Sequence, residues 1–138
     1  MAKKILIMGL PGSGKTSLAK LLAPMFNAVL LNEDEVRKEA NDFDLTDIGR
    51  SIHTNRMKRL ADEAIQNNRN VVADFECTDD ERKDFNADYI IYMDTIKESK
   101  LEPPSNFDFK VTHKDAQMFS FLIKQEILDK LKGLGPHD

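Results

Sequence analysis

The residues Gly9-Leu10-Pro11-Gly12-Ser13-Gly14-Lys15-Thr16 carry the spacing G-x-x-x-x-G-K-[ST], directly after the apolar run Ile5-Leu6-Ile7-Met8. Each residue type in it has a part in holding a nucleoside triphosphate. Gly9, Gly12 and Gly14 let the chain turn round a phosphate with no Cβ in the way, so that backbone N–H groups at Ser13 and its neighbours point inward. Lys15 is expected to reach the β- and γ-phosphates and to act catalytically, and the Thr16 hydroxyl to bind Mg²⁺. Ser17 completes the set assigned to ATP, on a helix whose positive end faces the same point.

Transfer of a phosphoryl group also needs an acceptor side. Asn32-Glu33-Asp34-Glu35-Val36-Arg37 follows the second strand-like run and places Asp34 and Arg37 on one helix face. A carboxylate there can orient and deprotonate an acceptor hydroxyl while the guanidinium grips an anionic group, which makes both candidate catalytic and substrate-binding residues. The competing explanation is a helix start decorated with acids to suit the dipole. Asp74 ends the run Val71-Val72-Ala73 and is the candidate second Mg²⁺ residue, with an ordinary turn or cap as its alternative. Phe75 is a candidate contact for an acceptor base, with plain core packing, the commoner fate of an aromatic after a strand, as its alternative, and Arg50 is a candidate for an acceptor phosphate or sulfate. Arg82 is placed on the following helix, facing the nucleotide. His53 and His113 lack any partner pattern for metal or nucleophilic chemistry, and Cys77 reads as inert.

These residues need a frame, and the patterning supplies one. Lys4 to Met8, Ala28 to Leu31, Asn70 to Ala73, Tyr89 to Met93 and Phe107 to Val111 are short, β-prone runs. Helical spacing fills the intervals. It predicts helices over Lys15 to Met25, over Asp47 to Gln66 with Ile48, Ile52, Met57, Leu60, Ala61, Ala64 and Ile65 as its apolar face, and over Asp115 to Lys132 with Phe119, Leu122, Ile123, Ile127 and Leu131 inward. Near-continuously apolar strands alternating with helices predict a parallel sheet covered on both faces, an α/β/α domain with its ligands at the strands' carboxyl ends.

The 138 residues fit one domain, and no Pro/Gly/Ser-rich linker divides them. With 20 basic against 24 acidic residues the net charge is −4, which offers no general attraction to nucleic acid or anionic membranes. A single cysteine forbids an internal disulfide and fits a reducing, cytosolic setting. The apolar start stops at Pro11 and runs into the glycine loop, so it reads as a buried strand rather than a signal peptide.

The chain resembles the adenylyl-sulfate kinases of the P-loop nucleoside-kinase-like superfamily. The phosphate loop matches theirs, and Asp34-Glu35-Val36-Arg37 is similar to their D-N-V-R segment. Leu45-Thr46-Asp47-Ile48-Gly49-Arg50 is similar to their segment ending in D-R, Val71-Val72-Ala73-Asp74-Phe75 to their third strand, and Tyr92-Met93-Asp94-Thr95 to their V-D-T. The resemblance implies a five-stranded sheet in the order 2-3-1-4-5 and transfer from ATP to the ribose 3′-hydroxyl of adenylyl sulfate. Two departures stand out: His53-Thr54-Asn55 replaces the family's N-I-R, and the basic lid shrinks to Thr95 to Asn106, with Lys97 and Lys100 but no arginine. Polynucleotide 5′-kinases are the nearest rival, through Asn32-Glu33-Asp34-Glu35-Val36-Arg37 and Asp74. A nucleotide-binding switch without an acceptor is a third reading.

Overall fold

The computed structural model describes residues 2–96 and 104–131. Lys97, Lys100 and the Gly133-Leu134-Gly135-Pro136 segment lie outside them. Five strands, β1 (Lys4–Met8), β2 (Val29–Asn32), β3 (Val71–Asp74), β4 (Tyr89–Met93) and β5 (Phe109–Val111), form one sheet in the order β2-β3-β1-β4-β5. All neighbours are parallel, with β1 in register against β3 from Lys4 opposite Val71 and against β4 from Ile5 opposite Tyr89. The helices are α1 (Lys15–Met25), α2 (Glu33–Ala40), α3 (Asp47–Gln66), α4 (Asp79–Phe85) and α5 (Ala116–Leu131).

The layering follows from the period of two along a strand. Ile5 and Ile7 of β1 meet Leu18, Ala19 and Leu22 of α1 and Ile123 and Ile127 of α5 on one side. Leu6 and Met8 meet Val36 of α2, Met57 and Ala61 of α3 and Phe85 of α4 on the other. β1 is buried along its whole length, as a central parallel strand must be. Even Lys4 is buried; its Nζ donates to Asp62 Oδ1 (2.7 Å) and to the Phe85 carbonyl (2.6 Å).

Helix ends are set by local chemistry. Asn32, Thr46 and Thr78 cap α2, α3 and α4 through their side chains, and Thr78 with Glu81 completes a reciprocal capping box. Asn27, Asn41, Asn68 and Asn86 adopt left-handed backbone where the chain leaves α1, α2, α3 and α4, the conformation that lets it reverse after a last turn.

The expected apolar faces need correcting in two places. Ile48 and Ile52 of α3 are 74% and 52% exposed, whereas Gly49, His53, Thr54, Met57 and Ala61 are buried. The carboxyl half of α3 packs on the sheet, but its amino end lies over a cavity, so the inward face there is polar. On α5, Leu122 and Leu131 face outward, and Ser120, Ile123 and Ile127 face the core.

Candidate active site

The phosphate loop joins β1 to α1, and its geometry is that of an open anion nest. Gly12 and Gly14 have φ of 79° and 97°, values that strain any residue with a Cβ. Gly14 caps α1 with no side-chain bond, so the first-turn amides of the helix are unclaimed by any cap. Gly9 is required for another reason: a Cβ there would lie 2.7 Å from Ser13 Oγ and 2.8 Å from Met93 Cβ. Thr95 Oγ1 donates to the Ser13 carbonyl at 2.7 Å, tying the segment after β4 to the loop. Lys15 and Thr16 are half-buried and Ser17 is exposed on the first turn of α1.

Thr16 meets two side chains from the ends of β2 and β3. Asn32 Nδ2 donates to Asp74 Oδ1 (2.8 Å) and to Thr16 Oγ1 (3.1 Å), and Thr16 Oγ1 lies 3.5 Å from the same carboxylate oxygen. Asp74 Oδ2 is buried without a partner. Burial pushes the Asp74 carboxyl up to about 6, against the opposing pull of Asn32, Lys15 and Thr16. A carboxylate oxygen left over beside a threonine hydroxyl fits Mg²⁺, which takes few protein ligands and completes its shell with phosphate and water. Among the described residues no group of three or more His, Cys, Asp or Glu side chains is arranged to hold a metal without such help. Asn32 was not singled out from sequence; its amide fixes the orientation of Asp74.

Next to the loop lies a cavity of about 500 Å³. Met8, Gly9 and Leu10 form one wall, α2 and the amino end of α3 a second, and Glu76, Cys77 and Thr78 after β3 a third. Arg50 lines it, and its Nη2 stands 3.6 Å from Glu76 Oε2. Arg37 lines it too, but its Nη1 donates to the Asp42 and Asp44 carbonyls (3.2 and 3.3 Å) and holds the α2–α3 loop in place. Asp34 is exposed on the first turn of α2, near enough for its charge to act on Asp74 and His53. It is the adjacent Glu33 that lines the cavity. Glu33 Oε2 accepts from the Glu76 amide at 3.3 Å, and burial raises its carboxyl despite the nearby Lys15 charge.

His53 is a second cavity residue missed from sequence. Its ring is 2% exposed, Nδ1 sits 3.3 Å from Arg56 Nη1 and Nε2 has no partner. Burial, reinforced by Arg37 and Arg56, pushes the imidazole down to about 4, so it is neutral near pH 7. The signal was available in the sequence as spacing: His53 follows Gly49 and precedes Met57 by four residues each, on the face that turned out to be inward.

Two assignments are corrected. Phe75 is fully buried and packs edge-on against Phe85 at 5.2 Å, so it belongs to the core and offers no face to an acceptor. Arg82 is 2% exposed and its guanidinium is engaged away from any ligand: it pairs with Asp79 (2.7 Å), donates to Ser105 Oγ (2.9 Å) and bonds the Asn106 side chain. Lys114, before α5, lies beside the phosphate loop, its Cγ 3.7 Å from where a Gly14 Cβ would stand. Cys77 is inert as expected, burial pushing its thiol up to about 12.

A parallel sheet of order 2-3-1-4-5 with a glycine loop after its first strand defines a P-loop domain of the kinase type. The chain belongs to the AAA domain family, whose model matches residues 5–87. No curated protein matches it. Among solved structures it is similar to the Mycobacterium tuberculosis APS kinase CysC in complex with AMPPNP and APS, with a TM-score of 0.71, 20% identity and coverage of 95% of this chain and 98% of that one. It is also similar to a sugar kinase from Janibacter (TM-score 0.62, 15% identity, 99% and 98% covered) and to the Acinetobacter baumannii shikimate kinase in complex with shikimate (0.60, 14%, 96% and 94%). At these identities the likeness establishes the fold. The adenylyl-sulfate-kinase-like architecture expected from the sequence is thus present. No helix among the described residues is long and apolar enough to cross a membrane.

Proposed function

We propose that the protein is an ATP-dependent phosphotransferase that moves the γ-phosphoryl group to a hydroxyl of a small molecule held in the cavity beside the phosphate loop. The observation that carries this reading is the adjacency itself: Gly9 and Leu10 belong both to the phosphate loop and to the cavity wall. A second site adjoining the loop suits an acceptor, which a switch that only binds and hydrolyses nucleotide does not need. In this reading the loop amides and the α1 amino end hold the phosphates, and Lys15 neutralises charge on the transferring group. Thr16 and Asp74 would hold Mg²⁺, which when bound offsets phosphate charge. Asn32 keeps Asp74 aimed. Glu33, from inside the cavity, orients the acceptor hydroxyl, with the more exposed Asp34 adding negative potential at the same helix end.

Adenylyl sulfate is the acceptor that the resemblance implies, and ATP transfer to it is one arm of the test. Its support is reduced by Phe75, which lies in the core, and by Arg37, which is engaged with loop carbonyls. The test is transfer of labelled γ-phosphate to adenylyl sulfate, nucleosides, nucleoside monophosphates, sugars and short 5′-hydroxyl oligonucleotides. Acceptor-dependent label in product is expected, and Lys15→Ala should remove nearly all of it while the circular dichroism spectrum stays unchanged. If Lys15→Ala turns over normally, or ATP is consumed at one rate whatever acceptor is present, the reading fails.

A further inference from the structure

The charge on the cavity wall says what kind of acceptor it suits. Among the described lining residues, Glu33, Asp47, Glu76, Asp79 and Glu81 stand against only Arg37 and Arg50 as cations. Both guanidiniums are already matched: Arg37 by two loop carbonyls with the Asp42 carboxylate 3.9 Å away, Arg50 by Glu76 at 3.6 Å. Asp79 is answered from outside the cavity by Arg82. Among the described lining residues Glu33, Asp47 and Glu81 remain in excess, with Lys15 of the phosphate loop acting on Glu33 from outside the wall.

His53 supplies the independent sign that this space takes a ligand. A guanidinium can only donate, so the 3.3 Å contact with Arg56 makes Nδ1 the lone-pair nitrogen and puts the ring hydrogen on Nε2. That N–H is buried, has no partner and belongs to a residue of the cavity wall. A buried donor is costly to leave unpaired. The cavity wall therefore holds one buried N–H that wants an oxygen, reached once the ring or the ligand shifts, and carboxylates that want donors.

We propose that the acceptor is an uncharged or cationic polyhydroxy compound, of the amino sugar or amino alcohol class, that donates to Glu33 and the other surplus carboxylates and accepts from His53 Nε2. The inference rests on the phosphotransferase reading and narrows it. A phosphate or sulfate group would bring like charge against the surplus carboxylates, and the existing cations would have to break their present bonds to receive it.

The test uses amino sugars and amino alcohols, each with its uncharged and its phosphorylated analogue, together with adenosine and adenylyl sulfate. Equilibrium binding is measured calorimetrically with AMPPNP and Mg²⁺ present, and transfer is measured separately with labelled ATP. The amine or neutral member of a set should bind at least roughly tenfold tighter than its phosphorylated analogue. Glu76→Gln removes a carboxylate and releases Arg50, and should narrow that ratio several-fold; Asp47→Asn, at an exposed position, should narrow it with no risk to the core. Tighter binding of the anionic members, binding by no amine or neutral member, or a ratio unmoved in both variants would overturn the inference. Charge-selective binding without transfer would sink the phosphotransferase reading instead, and transfer with anionic preference would sink only the charge inference.

Discussion

Asp74 shows how a ligand-ready residue works against the empty protein. Its carboxyl titrates at about 6 in the fold, above its ordinary value of 3.8, because burial disfavours the charge. The sign follows from linkage: a raised acid stabilises the fold fully below pH 3.8, and that contribution is lost as the pH rises through 6. Asp74→Asn, which cannot ionise, should therefore raise the melting temperature at pH 7.5 by an amount worth roughly 1–3 kcal/mol. The difference should disappear near pH 4. The same variant should gain far less from Mg²⁺ and ATP than the wild type. Melting curves from pH 4 to 8 with and without nucleotide measure both effects, and a variant less stable than wild type at pH 7.5 would contradict the argument.

Among the elements, the amino end of α3 and the segment beyond β4 carry the consequences. Gly49 sits inside a helix, where alanine ordinarily gains about 1 kcal/mol. Here a Cβ would lie 2.5 Å from the Asp44 carbonyl and 2.3 Å from its Cγ, because the α2–α3 loop folds over that turn. Gly49→Ala should destabilise the protein by roughly 1–3 kcal/mol, read from urea unfolding. It should also weaken acceptor binding, since Arg50 and His53 line the cavity from the same turns. Arg82→Ala should cost roughly 2–4 kcal/mol in the same assay, since it removes charge-assisted bonds to Asp79, Ser105 and Asn106 at once. A loss under about 0.5 kcal/mol would restore Arg82 to a surface role.

The sequence made the strands and the longer helices legible for a physical reason. β1, β4, α1 and α3 have the bounds expected from the sequence, because β1 and β4 are buried within the sheet, α1 packs on it and α3 does so through its carboxyl half. The loop's geometry was legible where a residue acts through the backbone it lies on, as with Gly12 and Gly14. The site was not legible where a side chain's direction depends on a neighbouring element. Phe75 turned inward because Phe85 of α4 covers it, Arg82 because Asn106 returns beside it, and Glu33 and Asp34 were told apart only by which way α2 faces the cavity. Ile48 and Ile52 misled for a related reason. Periodicity reports an apolar stripe, and a polar inward face over a cavity leaves no such mark.

At the scale of the whole molecule, the candidate nucleotide site draws on four strands at once: the loop after β1, Asn32 and Asp74 from β2 and β3, and Thr95 after β4. A ligand there binds the folded state and not the unfolded chain. At one hundred times its dissociation constant it should add about 2.7 kcal/mol to stability, a rise of several degrees in the melting temperature. Lys15→Ala should lose most of that shift, as a thermal melt with AMPPNP and Mg²⁺ will show.

The position of β1 in the sheet also has a meaning in time. Of the five strands it is made first, and it lies at the centre of the sheet, yet its register partners begin at Val71 and Tyr89. A nascent chain that has emerged only as far as the end of α3 already contains every residue of the glycine loop. It still has no Asp74 to face Thr16, no Thr95 to hold Ser13, and no paired edges for the strand that carries the loop. In the proposed reading nucleotide recognition thus begins late in synthesis, and ATP would grip only those chains whose central strand has found both neighbours.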